Sequence, residues 1–479
     1  MAGAGRILFV CGSPKGEASS SLLAARTVSH FLKHDVAFVD VAAARLSLDP
    51  AQAEPAFREI VEAMREASAI VWVFGAILWH APVQLKVLFD KCFEQDLRFD
   101  GKIAATVLSS AHLFDDFICD GLRLVSEQLG CGYIGDVSVE GVPGGYADCD
   151  KAETECRLLA GRLDAALDSG YLPYRRTTDM RPQDLKPLCF GREFPVDGPQ
   201  RPKTGRKTIL VVTGHKLDDN PAARAVYAAI DRASGNRVEL FEVAGSGLGP
   251  CELRQECMLR GDLSCAQADV FGQLKRRLLE ADAIVFVGQC AGTFVDAHML
   301  TLIGRAGSML IMPQLQGKYG FAVATGGGGL GRGMARYLSD FLTGCGVQSL
   351  GGLTEGDGDG QGFAATVAWT VEQLDRALEE CWEVPARCLV RTEHYFQREA
   401  AAKFGVAVRG YYHYFRRNKL FDFPPILAIR LLVMLLPGRR LADFLIRKSA
   451  GMTRARWEKR FGGEAAPSGL SRAVLPRFG

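Results

Sequence analysis

RILFVCGSPKGEASSSLL, residues 6–23, is the stretch whose reading decides the fold. Its apolar run 7–10 suits a β-strand, breaks at Gly12-Ser13-Pro14, and leads through small residues into an apolar helical pattern over 22–31. That is a strand, a loop and the start of a helix. Such a loop can aim backbone N–H groups, the hydroxyls of Ser13, Ser19, Ser20 and Ser21, and the positive end of a helix dipole at one anion, and a phosphate fits there. An ordinary βα turn whose serines only cap the helix gives the same local pattern, and residues further down the chain distinguish the two.

Strand and helix patterns alternate outward from this loop. A strand over 35–41 is followed by a helix over 51–66 and the unbroken apolar strand AIVWVFG at 69–75. A loop then leads to a helix beginning near Pro82, a strand over 102–110, a helix over 114–129 and a strand over 133–139. Five strands alternating with helices predict a doubly wound α/β domain, a parallel sheet covered on both faces.

Gly12-Ser13-Pro14-Lys15 with Ser19-Ser20, then Gly75 through Trp79, then Gln84-Leu85-Lys86 with Asp90-Lys91, resembles the NADPH-dependent FMN reductase family of the flavodoxin-like fold. The resemblance implies that Ser13, Lys15, Ser19 and Ser20 hold the FMN phosphate. It further implies that Gly75, Ala76, Leu78 and Trp79, together with Ser109, Ser110 and His112, flank the isoalloxazine. His80 and His112 are then ring-proximal candidates. Ala76 and Leu78 stand where the family's turn has Pro and Tyr, which removes an aromatic face from beside the ring.

After a proline-rich linker over 173–205 the grammar restarts. Residues 208–214 mirror 7–12, 281–288 mirror 68–75, 317–325 mirror 101–109, and Gly344-Cys345-Gly346 mirrors Gly130-Cys131-Gly132. Four landmarks in one order at nearly constant offset indicate an internal duplication. The second copy is equipped differently. Its first loop, Gly214 to Pro221, has no hydroxyl and carries Asp218 and Asp219 where a phosphate would lie, although Asn220-Pro221 preserves a helix start. Its second loop, from Gln289 on, and Leu302-Ile303-Gly304-Arg305 keep neither the family's Pro-x-Tyr nor its lysine. The run Thr325 to Gly331, with Gly326 and Gly327, resembles the glycine-rich loop that passes the flavin in iron–sulfur flavoprotein relatives. Those relatives carry four cysteines for a [4Fe–4S] cluster. Here Cys251, Cys257 and Cys265 are one short, with Arg254 where another cysteine is expected, so no cluster and no other metal is anticipated.

Composition sets the frame. At 479 residues two or three domains are expected, and 48% apolar with 23% charged content describes a globular protein. Fourteen cysteines without a secretory signal pattern suit reduced thiols and a cytoplasmic location. The net charge of +2 hides an asymmetry: residues 386–479 hold 19 Lys and Arg against 6 Asp and Glu, a net +13, leaving −11 for the rest. This basic tail includes FPPILAIRLLVMLLP at 423–437, too short to span a bilayer. Two roles stay open for it: an interfacial helix on anionic lipid, or a cap docked on the preceding domains. No nucleic-acid-binding pattern is visible.

The expected organisation is two flavodoxin-like domains, 1–172 and 206–385, fused as an internal pseudo-dimer and followed by a basic helical tail, 386–479. The resemblance implies an NAD(P)H-dependent oxidoreductase that passes hydride through bound FMN to a quinone, free flavin or similar small acceptor. A non-catalytic flavodoxin-like scaffold, in which the lost motif residues record decay, is the rival from another class.

Overall fold

The run Ile7–Cys11 forms β1, and all five of its residues are buried. In the computed structural model the described residues are 5–49, 52, 54–76, 79–110, 115–142, 145–146, 149–173, 194–196, 200–252, 257, 264–291, 294–326, 331–355, 360–384, 390, 394–395, 397–399, 401–402, 409–419 and 421. They fall into two compact units, one before and one after the middle of the linker.

In the first unit β1 pairs in parallel with β2 (Val36–Asp40) and β3 (Ala69–Gly75). The sheet continues through β4 (Ile103–Ser110) to β5 (Gly132–Val142), with β6 (Gly145–Tyr146) antiparallel at the edge. The order 2-1-3-4-5 is the flavodoxin-like one. Alternate residues face opposite ways. Phe9, Val71, Val107 and Val137 pack against Leu22, Ala25 and Val28 of α1 (Ser20–Phe31) and Leu159 and Leu163 of α6 (Cys149–Ser169). On the sequence, α2 (Val41–Ala44), α3 (Pro55–Glu66), α4 (Val83–Glu94) and α5 (Asp115–Gln128) complete the unit. Trp72 of β3 is fully buried, meets Phe89 of α4 edge-on at 5.0 Å, and donates its Nε1–H to Ser126 Oγ of α5 at 2.8 Å. The helix anticipated over 51–66 begins at Pro55, since proline suits the first helical position and biases its predecessor away from helix.

The second unit repeats the plan with β7 (Thr208–Thr213), β8 (Arg237–Glu242), β9 (Ala283–Ala291), β11 (Tyr319–Thr325) and β12 (Gln348–Thr354) in the order 12-11-9-7-8. The short β10 (Phe294–Val295) pairs antiparallel with β9. Its helices are α7 (Pro221–Ala233), α8 (Phe271–Glu280), α9 (Ala297–Arg305), α10 (Gly307–Ile311), α11 (Gly331–Gly344) and α12 (Gly360–Glu380). The duplication extends to an irregularity. The last strand of each sheet slips register at one place, between Ala104 and Ala105 opposite β5 and between Gly320 and Ala322 opposite β12. At that place Gly135 has φ +146° and Gly351 φ +116°, a region closed to most side chains.

Part of the linker wraps the second unit: Phe194 is buried in its core and meets Phe363 edge-on at 5.2 Å. The described part of the tail does the same. Tyr411 and Phe415 of α13 (Arg409–Arg417) cluster with Met312 and Ala401, and Tyr414 donates its hydroxyl to Pro313 O at 2.6 Å. Arg416, Arg417 and Lys419 are exposed at that helix's C-terminal end, where the dipole favours cations. The apolar run 423–437 and everything after it lie outside the described residues. Among the described helices none is long and apolar enough to cross a membrane.

Candidate functional site

The loop between β1 and α1 is tied to the neighbouring strand by Gly12 N–H donating to Val73 O at 2.8 Å. It turns through a 3-10 turn at Gly16–Ala18 and enters α1 at Ser19, which has the extended backbone of an N-cap. An N-cap serine ordinarily accepts from an N–H of the first turn. Ser19 makes no such bond, and its hydroxyl instead lies 2.7 Å from Ser21 Oγ. The first-turn amides therefore keep their donors, beside the buried hydroxyls of Ser13, Ser19 and Ser21. Ser13 Oγ accepts from Lys15 N–H at 3.4 Å, and Lys15 and Ser20 are less buried. The acidic residue of the loop, Glu17, is turned aside into an ion pair with Arg26 at 2.8 Å. These donors fit the phosphate of FMN: hydroxyls, free helix amides and a nearby lysine, with no unpaired carboxylate among the described loop residues.

The two ring-side segments emerge from the same edge of the sheet. Gly75 and Ser109 are register partners at the ends of β3 and β4, and Ala76 N–H donates to Ser109 O at 2.8 Å. Ser109, Ser110, Gly75 and Ala76 are half-buried there. The carboxyl ends of strands are where doubly wound sheets bind ligands. Leu78, His112 and Gly327 lie outside the described residues. Trp79 is buried and has φ +71°, the left-handed region, which costs an aromatic residue about 1–3 kcal/mol. His80, next to it, is 1% exposed. Its Nδ1–H donates to Ala81 O at 2.5 Å, while Nε2 is buried with no partner. Burial pushes its pKa down to about 4, although the Ala81 bond acts the other way.

The last-turn cation of α4 also shapes this side. Lys91 is fully buried, donates to Asp49 O at 2.8 Å and Gln52 O at 2.9 Å, and lies 3.3 Å from Glu54. Lys86 pairs with Asp90 one turn along the same helix.

The corresponding places in the second unit are filled by its own side chains. Asn220 Oδ1 accepts from Ala223 N–H at 3.0 Å, so α7 is capped as its sequence predicts. Leu217 N–H donates to Glu242 Oε1 at 2.7 Å. Glu242, at the end of β8, thus places a carboxylate on the loop between β7 and α7, where Asp218 and Asp219, singled out by sequence, are exposed. Asp296 caps α9 through Met299 N–H at 2.8 Å, accepts from Gln289 N–H at 3.0 Å, and crowds Gly214 so closely that a Cβ there would lie 2.4 Å from its oxygen. Asn220 Nδ2–H donates to Gln289 Oε1 at 3.0 Å. Gly326 donates its N–H to Glu355 at 3.1 Å, so that amide is engaged within the unit.

Arg305 takes the part of Lys91. Fully buried, it donates to Gly249 O at 2.9 Å, pairs with both oxygens of Asp269 and reaches Cys265 Sγ at 3.4 Å. Burial alone would raise the Asp269 pKa, but hydrogen bonds from Arg305 and the Phe271 amide hold it below the usual carboxylate value. Arg305 thus clamps its loop in the second unit as Lys91 does in the first, while the lysine of the Leu85-Lys86 pair has no counterpart among Leu302-Ile303-Gly304-Arg305. The thiols Cys251, Cys257 and Cys265 do not fit a [4Fe–4S] cluster, being three where four are needed, with Cys265 engaged by a guanidinium. Among the described residues no group of three or more His, Cys, Asp or Glu is placed to hold a metal ion.

Residues 6–136 and 208–354, more than half of the chain, match the family described as NADPH-dependent FMN reductase. The chain belongs to that family. Both of its units match separately, in agreement with the duplication. An iron-sulfur flavoprotein of Archaeoglobus fulgidus is 29% identical over 119 residues, 25% of this chain and 53% of that protein. The chain thus spans about half the length of that relative. Among solved structures, a flavodoxin of Streptococcus pneumonia TIGR4 is 16% identical, covering 33% of this chain and 98% of its own, with a TM-score of 0.26. An NAD(P)H:quinone oxidoreductase of Methanothermobacter marburgensis is likewise 16% identical, covering 34% and 98%, with a TM-score of 0.26.

Proposed function

We propose that this family member is an NAD(P)H-dependent FMN oxidoreductase with one flavin per chain, held by the first unit, and a small-molecule electron acceptor such as a quinone or free flavin. The observation that carries this reading is the open N-terminus of α1, where Ser19 leaves the first-turn amides uncapped, against the capped and carboxylate-filled counterpart at α7. Ser13, Ser19 and Ser20 with Lys15 bind the phosphate, and Gly75, Ala76, Trp79, Ser109 and Ser110 line the ring. Bound FMN supplies hydride acceptance from a reduced nicotinamide and electron delivery to the acceptor. The protein's part is to bind, orient and shield. The second unit serves as a support that binds no flavin, and residues beyond 421 supply any contact with anionic lipid. The direct test is flavin stoichiometry after purification, with NADPH and NADH oxidation followed against quinone and free FMN. One FMN per chain and acceptor-dependent turnover support the reading. A colourless protein that cannot be reconstituted with FMN favours the scaffold alternative instead.

A further inference from the structure

The segment joining β3 to α4 carries two adjacent costs: a left-handed Trp79 and a buried histidine nitrogen without a partner. The second is chemically specific. A carbonyl oxygen can only accept, so the bond to Ala81 O places the proton of His80 on Nδ1 and leaves Nε2 as a bare lone pair. That orientation is fixed, because the ring is 1% exposed and anchored through Nδ1. A buried acceptor of this kind calls for a donor. Oxidised isoalloxazine offers one ring N–H, the imide N3–H; N1, N5 and the two carbonyl oxygens are acceptors. The segment leaves the carboxyl end of β3, beside Gly75 and its partner Ser109.

We infer that His80 Nε2 receives the N3–H of the bound flavin and thereby fixes the ring by its imide edge. This rests on the flavin reading above and adds a residue that directly touches the cofactor. It also accounts for the absence of an aromatic at Leu78: an imide clamp fixes the ring in its own plane, where a stacked tyrosine would fix it from the face.

His80→Leu keeps the volume apolar and removes the orphan acceptor, and 3-methyl-FMN removes the matching donor. The wild-type protein should bind 3-methyl-FMN about tenfold more weakly than FMN, as expected for one hydrogen bond with a group left unpaired. His80→Leu should bind FMN about tenfold more weakly than wild type and should not distinguish the two flavins. Independently of binding, the apo form of His80→Leu should melt close to the apo wild type, since the orphaned Nε2 acceptor goes while Ala81 O loses its donor. Binding is read by flavin fluorescence titration and melting by circular dichroism. Equal FMN affinity in wild type and variant would make His80 a packing residue and overturn the inference. Weaker FMN binding with unchanged discrimination against the methylated flavin would move the contact to the ribityl hydroxyls and overturn the imide assignment. Failure of the wild type itself to bind FMN overturns the flavin reading, and this inference with it.

Discussion

Asp164 and Asp375 hold the same turn in the two units from the same position along matched 21-residue helices. Asp164 accepts from Lys33 N–H at 3.2 Å and from His34 Nδ1–H at 2.9 Å, fastening the exit of α1. Asp375 accepts from Gly235 N–H at 2.8 Å, Ser234 Oγ–H at 2.9 Å and Asn236 Nδ2–H at 2.8 Å, fastening the exit of α7. Asp375→Ala strands three buried donors and should cost roughly 2–4 kcal/mol, more than Asp164→Ala at roughly 1–3 kcal/mol. Urea denaturation checks both. A loss under 0.5 kcal/mol for Asp375→Ala, about what an ordinary surface substitution costs, would deny the turn this role.

Ser13→Asp places a carboxylate where the phosphate is proposed to lie, and flavin retention should be abolished by like-charge repulsion. The matched change in the second unit, His215→Asp, should leave flavin content unchanged. Absorbance of the purified variants decides; retained flavin in the first, or loss only in the second, contradicts the assignment of the site to the first unit.

Protonation of His80 has a definite sign. Its pKa is near 4 in the folded chain and 6.5 ordinarily, so between these values the unfolded chain binds a proton that the folded one does not. Stability should therefore fall as pH drops from about 6.5 to about 4, by on the order of 3 kcal/mol, and change no further from this group below that. His80→Leu should lack this component. Melting profiles of the apo forms across that interval should diverge toward acid; parallel profiles would show that the ring is not buried as a neutral base.

Anaerobically prepared protein should lack stoichiometric iron and acid-labile sulfide, since Cys251, Cys257 and Cys265 number one too few and Arg305 already engages Cys265. Four irons per chain would contradict this and bring Cys290 forward as a ligand.

Two truncations separate the roles of the tail. Ending the chain after residue 421 keeps α13 on Met312, so flavin content and folding should persist while sedimentation with anionic liposomes is lost. Ending it after residue 385 removes that apolar cover as well and should lower the melting temperature of the second unit. Liposome binding that survives the first cut would place the lipid contact elsewhere.

The central strands were legible because a parallel strand buried on both faces has an unbroken apolar sequence: AIVWVFG was expected as a strand over 69–75 and is β3 at Ala69–Gly75. The duplication was legible from four matched landmarks in one order, Gly130-Cys131-Gly132 and Gly344-Cys345-Gly346 among them. What sequence did not disclose depends on distant partners. Nothing around Glu242 marks it as the acceptor for Leu217, because the two are joined only by the fold. The same holds for Asp164 and Asp375, and for His80, whose unpaired nitrogen exists only once its surroundings are packed. The serines of the first loop were visible, but that Ser19 turns toward Ser21 and leaves its helix uncapped is a matter of rotamer.

Glu242 gives the Leu217 amide of the second unit an acceptor that can never dissociate. The first unit, holding flavin as proposed, would by contrast draw part of its stability from a solute and gain RT ln(1 + [L]/Kd) as flavin rises. A cell short of flavin would then hold a chain weakened in one half only, and a protease that samples open states would begin its cutting there. The lifetime of the polypeptide would then become a record of flavin supply, with the second half as a constant reference.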